Sequence, residues 1–338
     1  MKIFSTSLCF LSAFVLIATT NAQSGGYHLT KTFHIGSPGG WDYPAVDPGS
    51  NKLYVSHGSQ VNIIDRTTGD SVGIIANTTG VHGIAFASTF GKGYTSNGRL
   101  NNVSVFDVKT HAVLKQITTG TNPDWIFYDA FSKKIITSNH SAGSLSVIDP
   151  ANDEVVATIP IIGTALETVV SDGSGRLFAN AEDKNEIVAV DMIKNEVLAH
   201  WALPGDGPTG LAIDIKTKRL FTTCDKLLVV MDATNGKIVA QVPIGAGCDG
   251  AAFDPSSKLI FTSNGVGTMT IIQEISANEY KVLETVTTKK GARTITIDEK
   301  THRVFLPTAD YEPLAADAPK NTRPKMIPGS FQVLVFEK

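Results

Sequence analysis

The sequence predicts an all-β fold, a seven-bladed β-propeller with four antiparallel strands in every blade. Three observations carry the prediction. The first is a phrase that recurs seven times, roughly 40 to 44 residues apart: KLYVSHG (52–58), KGYTSNG (92–98), KIITSNH (134–140), RLFANAE (176–182), RLFTTCD (219–225), LIFTSNG (259–265) and RVFLPTA (303–309). A unit of that size cannot bury its own apolar face, so copies must stack. The second is that each copy sits among short β-branched runs separated by turn residues, four runs to a repeat. The third lies at the ends: the last repeat lacks an outer strand, and the N-terminal run YHLTKTFHIG (27–36) reads like one. Residues 27–35 are therefore expected to complete blade seven and close the ring, leaving no open sheet to aggregate.

Blade three shows the unit most clearly. Its inner strand is expected over 124–128, lining the central channel, and its second strand over 134–138, after a turn built from Asp129 and Ser132. The third strand, 144–149, ends in an Asp-Pro turn, and the fourth, 155–159, lies at the rim. The third-strand phrase recurs as VNIID (61–65), VSVFD (103–107), LSVID (145–149), IVAVD (187–191) and LVVMD (228–232), so its final aspartate reads as a turn acceptor. In blade six it decays to TIIQE (270–274), which predicts outer strands that bend differently.

The chain of 338 residues is read as one closed array behind a leader: residues 1–22 as a signal peptide and 23–338 as a single propeller domain. Lys2 precedes an apolar stretch over 8–18, and Ala22 is the expected cleavage point. That stretch is too short for a membrane span, so the mature protein is expected to be periplasmic or extracellular, without a span and monomeric. Export leaves Cys224 and Cys248 in an oxidising setting, either bridged or buried as free thiols. A formal net charge of −3 supplies no general pull on nucleic acid.

The phrases LYVS (53–56) and SVID (146–149), the VVATI strand (155–159) and a Gly-x-x-Pro lead into the next blade (120–123) resemble the YVTN-repeat, YncE-like β-propeller family over essentially the whole mature chain. The ending RPKMIPGSFQVLVFEK (323–338) is similar to that of secreted members. The resemblance implies an exported seven-bladed protein, with DNA binding known for the type member.

Function in propellers gathers where loops run from an outer strand to the next inner strand, on the same face as those joining second and third strands. Aligning the blades puts Asp42, His82, Asp124, Leu166, Thr209, Asp249 and Arg293 at the channel mouth, followed by Tyr43, Gly83, Trp125, Glu167, Gly210, Gly250 and Thr294. These positions vary while the β pattern around them stays constant, as a shaped site would. Asp42, His82, Asp124 and Asp249 mix oxygen donors with one imidazole, a set suited to a divalent metal ion, and Arg293 could instead pair with an aspartate. Trp41, Tyr43 and Trp125 could stack on a flat ligand. In the loops after the second strands, His57 and His140 break the repeat and join the ligand-binding candidates, whereas Asn97, Asn139 and Asn264 read as left-handed turn residues. An insertion over 309–329 in the last blade should drape over the same mouth, and its Arg323 and Lys325 would suit an anion.

No nucleophile motif, phosphate loop, CxxCH haem attachment or zinc signature occurs. The first reading is thus a non-enzymatic exported scaffold binding a small molecule, peptide or protein partner. A metal-assisted lactonase or lyase is the alternative, and single-stranded nucleic-acid binding through the three aromatics is the third.

Overall fold

The computed structural model describes residues 1, 25–161, 165–314, 322 and 324–338. The expected leader with its cleavage point and Arg323 lie outside the described residues. Seven four-stranded antiparallel sheets form the expected propeller. Blades one to six take residues 41–75, 81–118, 123–160, 166–202, 211–243 and 248–287, each in simple chain order. Blade seven is assembled from both ends of the chain: strand His28–His34 pairs with Gln332–Glu337, outside Arg303–Thr308 and the inner strand Thr296–Asp298. The closure is also packed. Phe33 and Ile35 are buried against blade one, and Tyr27 sets its ring edge-on to Phe261 of blade six at 5.1 Å.

Seven apolar clusters lie between the blades, one at each interface, because every blade is apolar on both faces near the channel. Second and third strands are almost wholly buried, while outer strands alternate, as Glu196–Ala202 does. Trp201 of that strand stacks on Phe178 at 5.7 Å and lies over Gly236, where a Cβ would meet the indole at 2.4 Å and where φ is +73°. In blade six the outer strands Thr268–Ser276 and Glu279–Thr287 run longer, with two register shifts between them. Among the described residues, no helix is long and apolar enough to cross a membrane.

The recurring aspartates are turn acceptors. Asp65, Asp107 and Asp191 each take two backbone N–H bonds from the residues two and three positions on. The recurring asparagines differ from expectation. Asn97 and Asn139 have φ of −120° and −95°, and the left-handed residues come four positions later, at Asn101 and Gly143. Asn97, Asn139 and Asn264 are buried, and each side-chain amide donates to two groups on the third strand, as Asn264 does to Thr268 Oγ1 at 3.1 Å and Thr270 Oγ1 at 3.0 Å. They staple strands together because a buried amide must find partners, and the neighbouring strand offers hydroxyls. Cys224 and Cys248 are buried free thiols, with burial pushing both up to about 12.

Candidate functional site

Five of the seven inner strands begin with an irregularity. The register between inner and second strands shifts between Trp41 and Pro44, Val81 and Ile84, Pro123 and Ile126, Leu166 and Val169, and Cys248 and Gly250. A bulge of this kind re-aims side chains and leaves a backbone amide without a ladder partner. A second-strand hydroxyl fills the gap: Ser56 accepts from Asp42 N, Ser96 from Gly83 N, Ser138 from Trp125 N and Thr223 from Gly210 N, at 2.8 to 3.1 Å. The serine in the repeated phrase thus supports the mouth.

Strand pairing corrects the blade alignment. Leu166 is fully buried and paired with Ala181, in the place of Trp41, Val81, Pro123 and Cys248; Glu167 is the residue equivalent to Asp42, His82, Asp124 and Asp249. Thr209 and Arg293 complete the ring in blades five and seven. Hydroxyls sew it across blade boundaries, Thr209 donating to Cys248 O and Thr294 to Asp42 O at 3.0 and 2.8 Å.

His82 Nδ1 lies 2.7 Å from Asp42 Oδ2 and 3.9 Å from Asp124 Oδ2. In the next blade His140 Nδ1 forms an ion pair with Glu167 Oε1 at 3.1 Å. The ligand atoms of Asp42, His82 and Asp124 lie within 4.8 Å of one another, as do those of Asp124, His140 and Glu167, so Asp124 belongs to both groups. It is only 7% exposed, and its Oδ1 has no hydrogen-bond partner among the described residues. Asp249 stands apart from them, paired with Arg293, whose Nη2 also donates to Trp41 O at 3.3 Å.

Crowding sets the protonation of the mouth. Burial pushes Asp124 well above the carboxylate range; His82 and His140 oppose this, and Asp42 and Glu167 add to it. Burial likewise raises Glu167, against the contact with His140, and raises Asp249, against the Arg293 charge. Burial works to lower His82, but the hydrogen bond to Asp42 and the charges of Asp124, Asp42 and Glu167 outweigh it and hold the imidazole at about 9. His140 is also held at about 9, chiefly by Glu167 and against burial. At neutral pH two imidazolium ions are therefore interleaved with the carboxyl groups.

The remaining candidates separate. Tyr43 sits edge-on to Trp125 at 4.7 Å, whereas Trp41 packs on Phe331 and Tyr311, so the three aromatics form no common platform. His57 is fully buried rather than displayed: its ring stacks on Phe331 at 3.9 Å, Nε2 donates to Gly39 O at 2.8 Å and Nδ1 lies 2.6 Å from Ser37 Oγ. Burial lowers its pKa, which fits a neutral ring bracing the lead into blade one.

The base of the insertion is ordered. Tyr311 pairs with Met326 across it, Glu312 N donates to Lys325 O, and Ile327 N donates to Asp310 O, both at 2.8 Å. Between this stem and blades six and one lies a cavity of about 1060 Å³, with Trp41 and Tyr311 on its wall and Lys289, Lys290 and Arg293 along one side. The sequence signalled the insertion but not this chamber, whose basic side comes from the end of blade six. Lys289 and Lys290 could have been noticed as adjacent cations before the last blade.

A chain of Kuenenia stuttgartiensis hydrazine synthase superposes with a TM-score of 0.71, over 81% of this chain and 94% of that chain, at 16% identity. The likeness is one of fold. No family model matches the sequence, and no curated protein does.

Proposed function

We propose that this chain is an exported binding scaffold, and that its loop face takes a small molecule, a peptide or a partner protein. The cavity beside the base of the insertion carries the reading: it joins an aromatic wall to charged side chains of both signs, beside a ring of residues that differ from blade to blade. A concave site with an apolar wall and a few convergent polar groups is a usual place for a ligand. The lining is mixed in charge, since Asp310 and Glu312 also face it and Lys289 pairs with Asp310 as Arg293 does with Asp249, which suits a ligand carrying both polar and flat apolar groups. Kinship with the YVTN-repeat, YncE-like propellers belongs to the same proposal, supported by LYVS, SVID and the seven blades, and so does export, supported by the leader-like N-terminus.

Native mass spectrometry of the full chain purified from the envelope of its own host tests the proposal. A retained molecule is expected, and it should be lost in Tyr311→Ala while the thermal melt is kept. Protein that carries nothing and is unmoved in a thermal-shift screen of metabolites and peptides would sink it. N-terminal sequencing should start at Gln23.

The metal-assisted lactonase or lyase remains the second reading, favoured by the position of His82 between two carboxylates. It requires turnover, which lactone or sugar-acid substrates would reveal. Nucleic-acid binding loses its shared aromatic platform, and salt-sensitive oligonucleotide binding would be needed to restore it.

A further inference from the structure

We propose that the channel mouth is a carboxylate-bridged centre for two divalent first-row metal ions, one held by Asp42, His82 and Asp124 and the other by Asp124, His140 and Glu167. The inference goes beyond the scaffold reading and is independent of what fills the neighbouring cavity.

Three observations carry it. The two groups of ligand atoms are each compact enough to surround one ion, and they share a single residue. First-row ions bind nitrogen and oxygen at about 2.0 to 2.2 Å, which sets neighbouring ligand atoms about 3 to 3.5 Å apart. The separations of 2.7 and 3.9 Å around His82, and of 3.1 Å between His140 and Glu167, bracket that value, so small rotations would suffice.

The second observation is Asp124 itself. Its Oδ2 faces His82, while its Oδ1 is buried and unpartnered among the described residues. Leaving a carboxylate oxygen dry and unpaired is costly, and an ion on each oxygen would satisfy both. The third is the donor chemistry. One imidazole with two carboxylates in each group favours manganese, cobalt or zinc over calcium or magnesium, which prefer oxygen alone. Asp249 is excluded from both groups by its pairing with Arg293.

The test uses the full mature chain, stripped with chelator and reloaded with Mn²⁺ or Co²⁺. Two ions per chain are expected by elemental analysis and native mass spectrometry, with the Mn²⁺ pair giving a spin-coupled rather than an isolated signal in electron paramagnetic resonance. His82→Gln and His140→Gln should each keep one ion and restore the isolated signal, and the double variant should keep none. Asp124→Asn should weaken both sites at least tenfold. His200→Gln, on the rim of blade four, should still hold two. Saturation at one ion or none in the wild type overturns the proposal, as does loss of both ions in either single histidine variant that retains its melt. Should Asp124→Asn fail to fold, the histidine variants decide alone.

Discussion

Carboxylates in two regions of this propeller behave in opposite ways. At the turns after the third strands, Asp65, Asp107, Asp149 and Asp191 accept backbone amides from residues two or three places on, and those bonds hold their carboxyls below the ordinary range. At the mouth, Asp124, Glu167 and Asp249 are pushed upward by burial, and their partners come from elsewhere in the chain. Asp42 and His82 are 40 residues apart, and Asp249 and Arg293 are 44. A repeated acid solves a local backbone problem in every blade. An unrepeated one is stabilised only when the ring closes and brings other blades to it.

If stability resides in the repeated frame, the largest loss should come from breaking the ring. Deleting residues 25–35 removes the buried Tyr27, Phe33 and Ile35 and one whole strand, at a cost of at least about 5 kcal/mol from apolar burial alone. Calorimetry of the deleted chain checks this, and an unchanged melt would refute closure by the N-terminal strand.

The mouth should act next, through pH. Its raised groups bind protons more tightly folded than unfolded, so the stability of metal-stripped protein should fall as pH rises. The histidine contribution is complete below about 6.5 and lost as pH passes about 9, a change on the order of a few kcal/mol. Urea denaturation across that window measures it, and His82→Gln should flatten the slope. A rising slope would reverse the assignment.

Smaller effects belong to single members of the frame. Asn264→Ala removes three bonds, leaving Thr268 and Thr270 short of a donor and Thr262 short of an acceptor, costing about 1 to 3 kcal/mol in chemical denaturation. Asp149→Ala should do least at neutral pH, shifting the melt by about 2 °C. Since the carboxyl of Asp149 is held low by the Ala151 amide and by Lys134, its contribution is present above the ordinary carboxylate range and lost in acid, where variant and wild type should converge. A difference that instead grew between pH 6.5 and 9 would erase the contrast between turn and mouth.

Much of this was legible beforehand because repetition exposes its own exceptions. The strand phrases, the turn aspartates and the closing strand follow from local pattern and from counting strands. Counting back from the second strand lands on Leu166 rather than Glu167 because the turn between inner and second strands is one residue shorter in blade four, where Val169 faces Ala179, than in blade three, where Ile126 faces Thr137. The asparagines are ambiguous in the sequence because Asn suits both a left-handed turn and a strand end, and only the groups facing them on the third strand distinguish these. His57 stood out as a departure from the repeat, yet its departure serves a stacking contact with Phe331, far away in sequence.

Sequence alone determined that this protein would be a ring of blades, because alternation and turn chemistry act over a few residues and the repeat multiplies them. Tertiary structure alone decided which of the exceptional residues meet. Asp124 stands between His82 and His140, Asp249 is taken by Arg293, and Trp41 turns away from Trp125, since each bulge angle and each inter-blade packing distance sets where a side chain ends. Electrostatics at the mouth depends on those few ångströms, and no spacing along the chain encodes them.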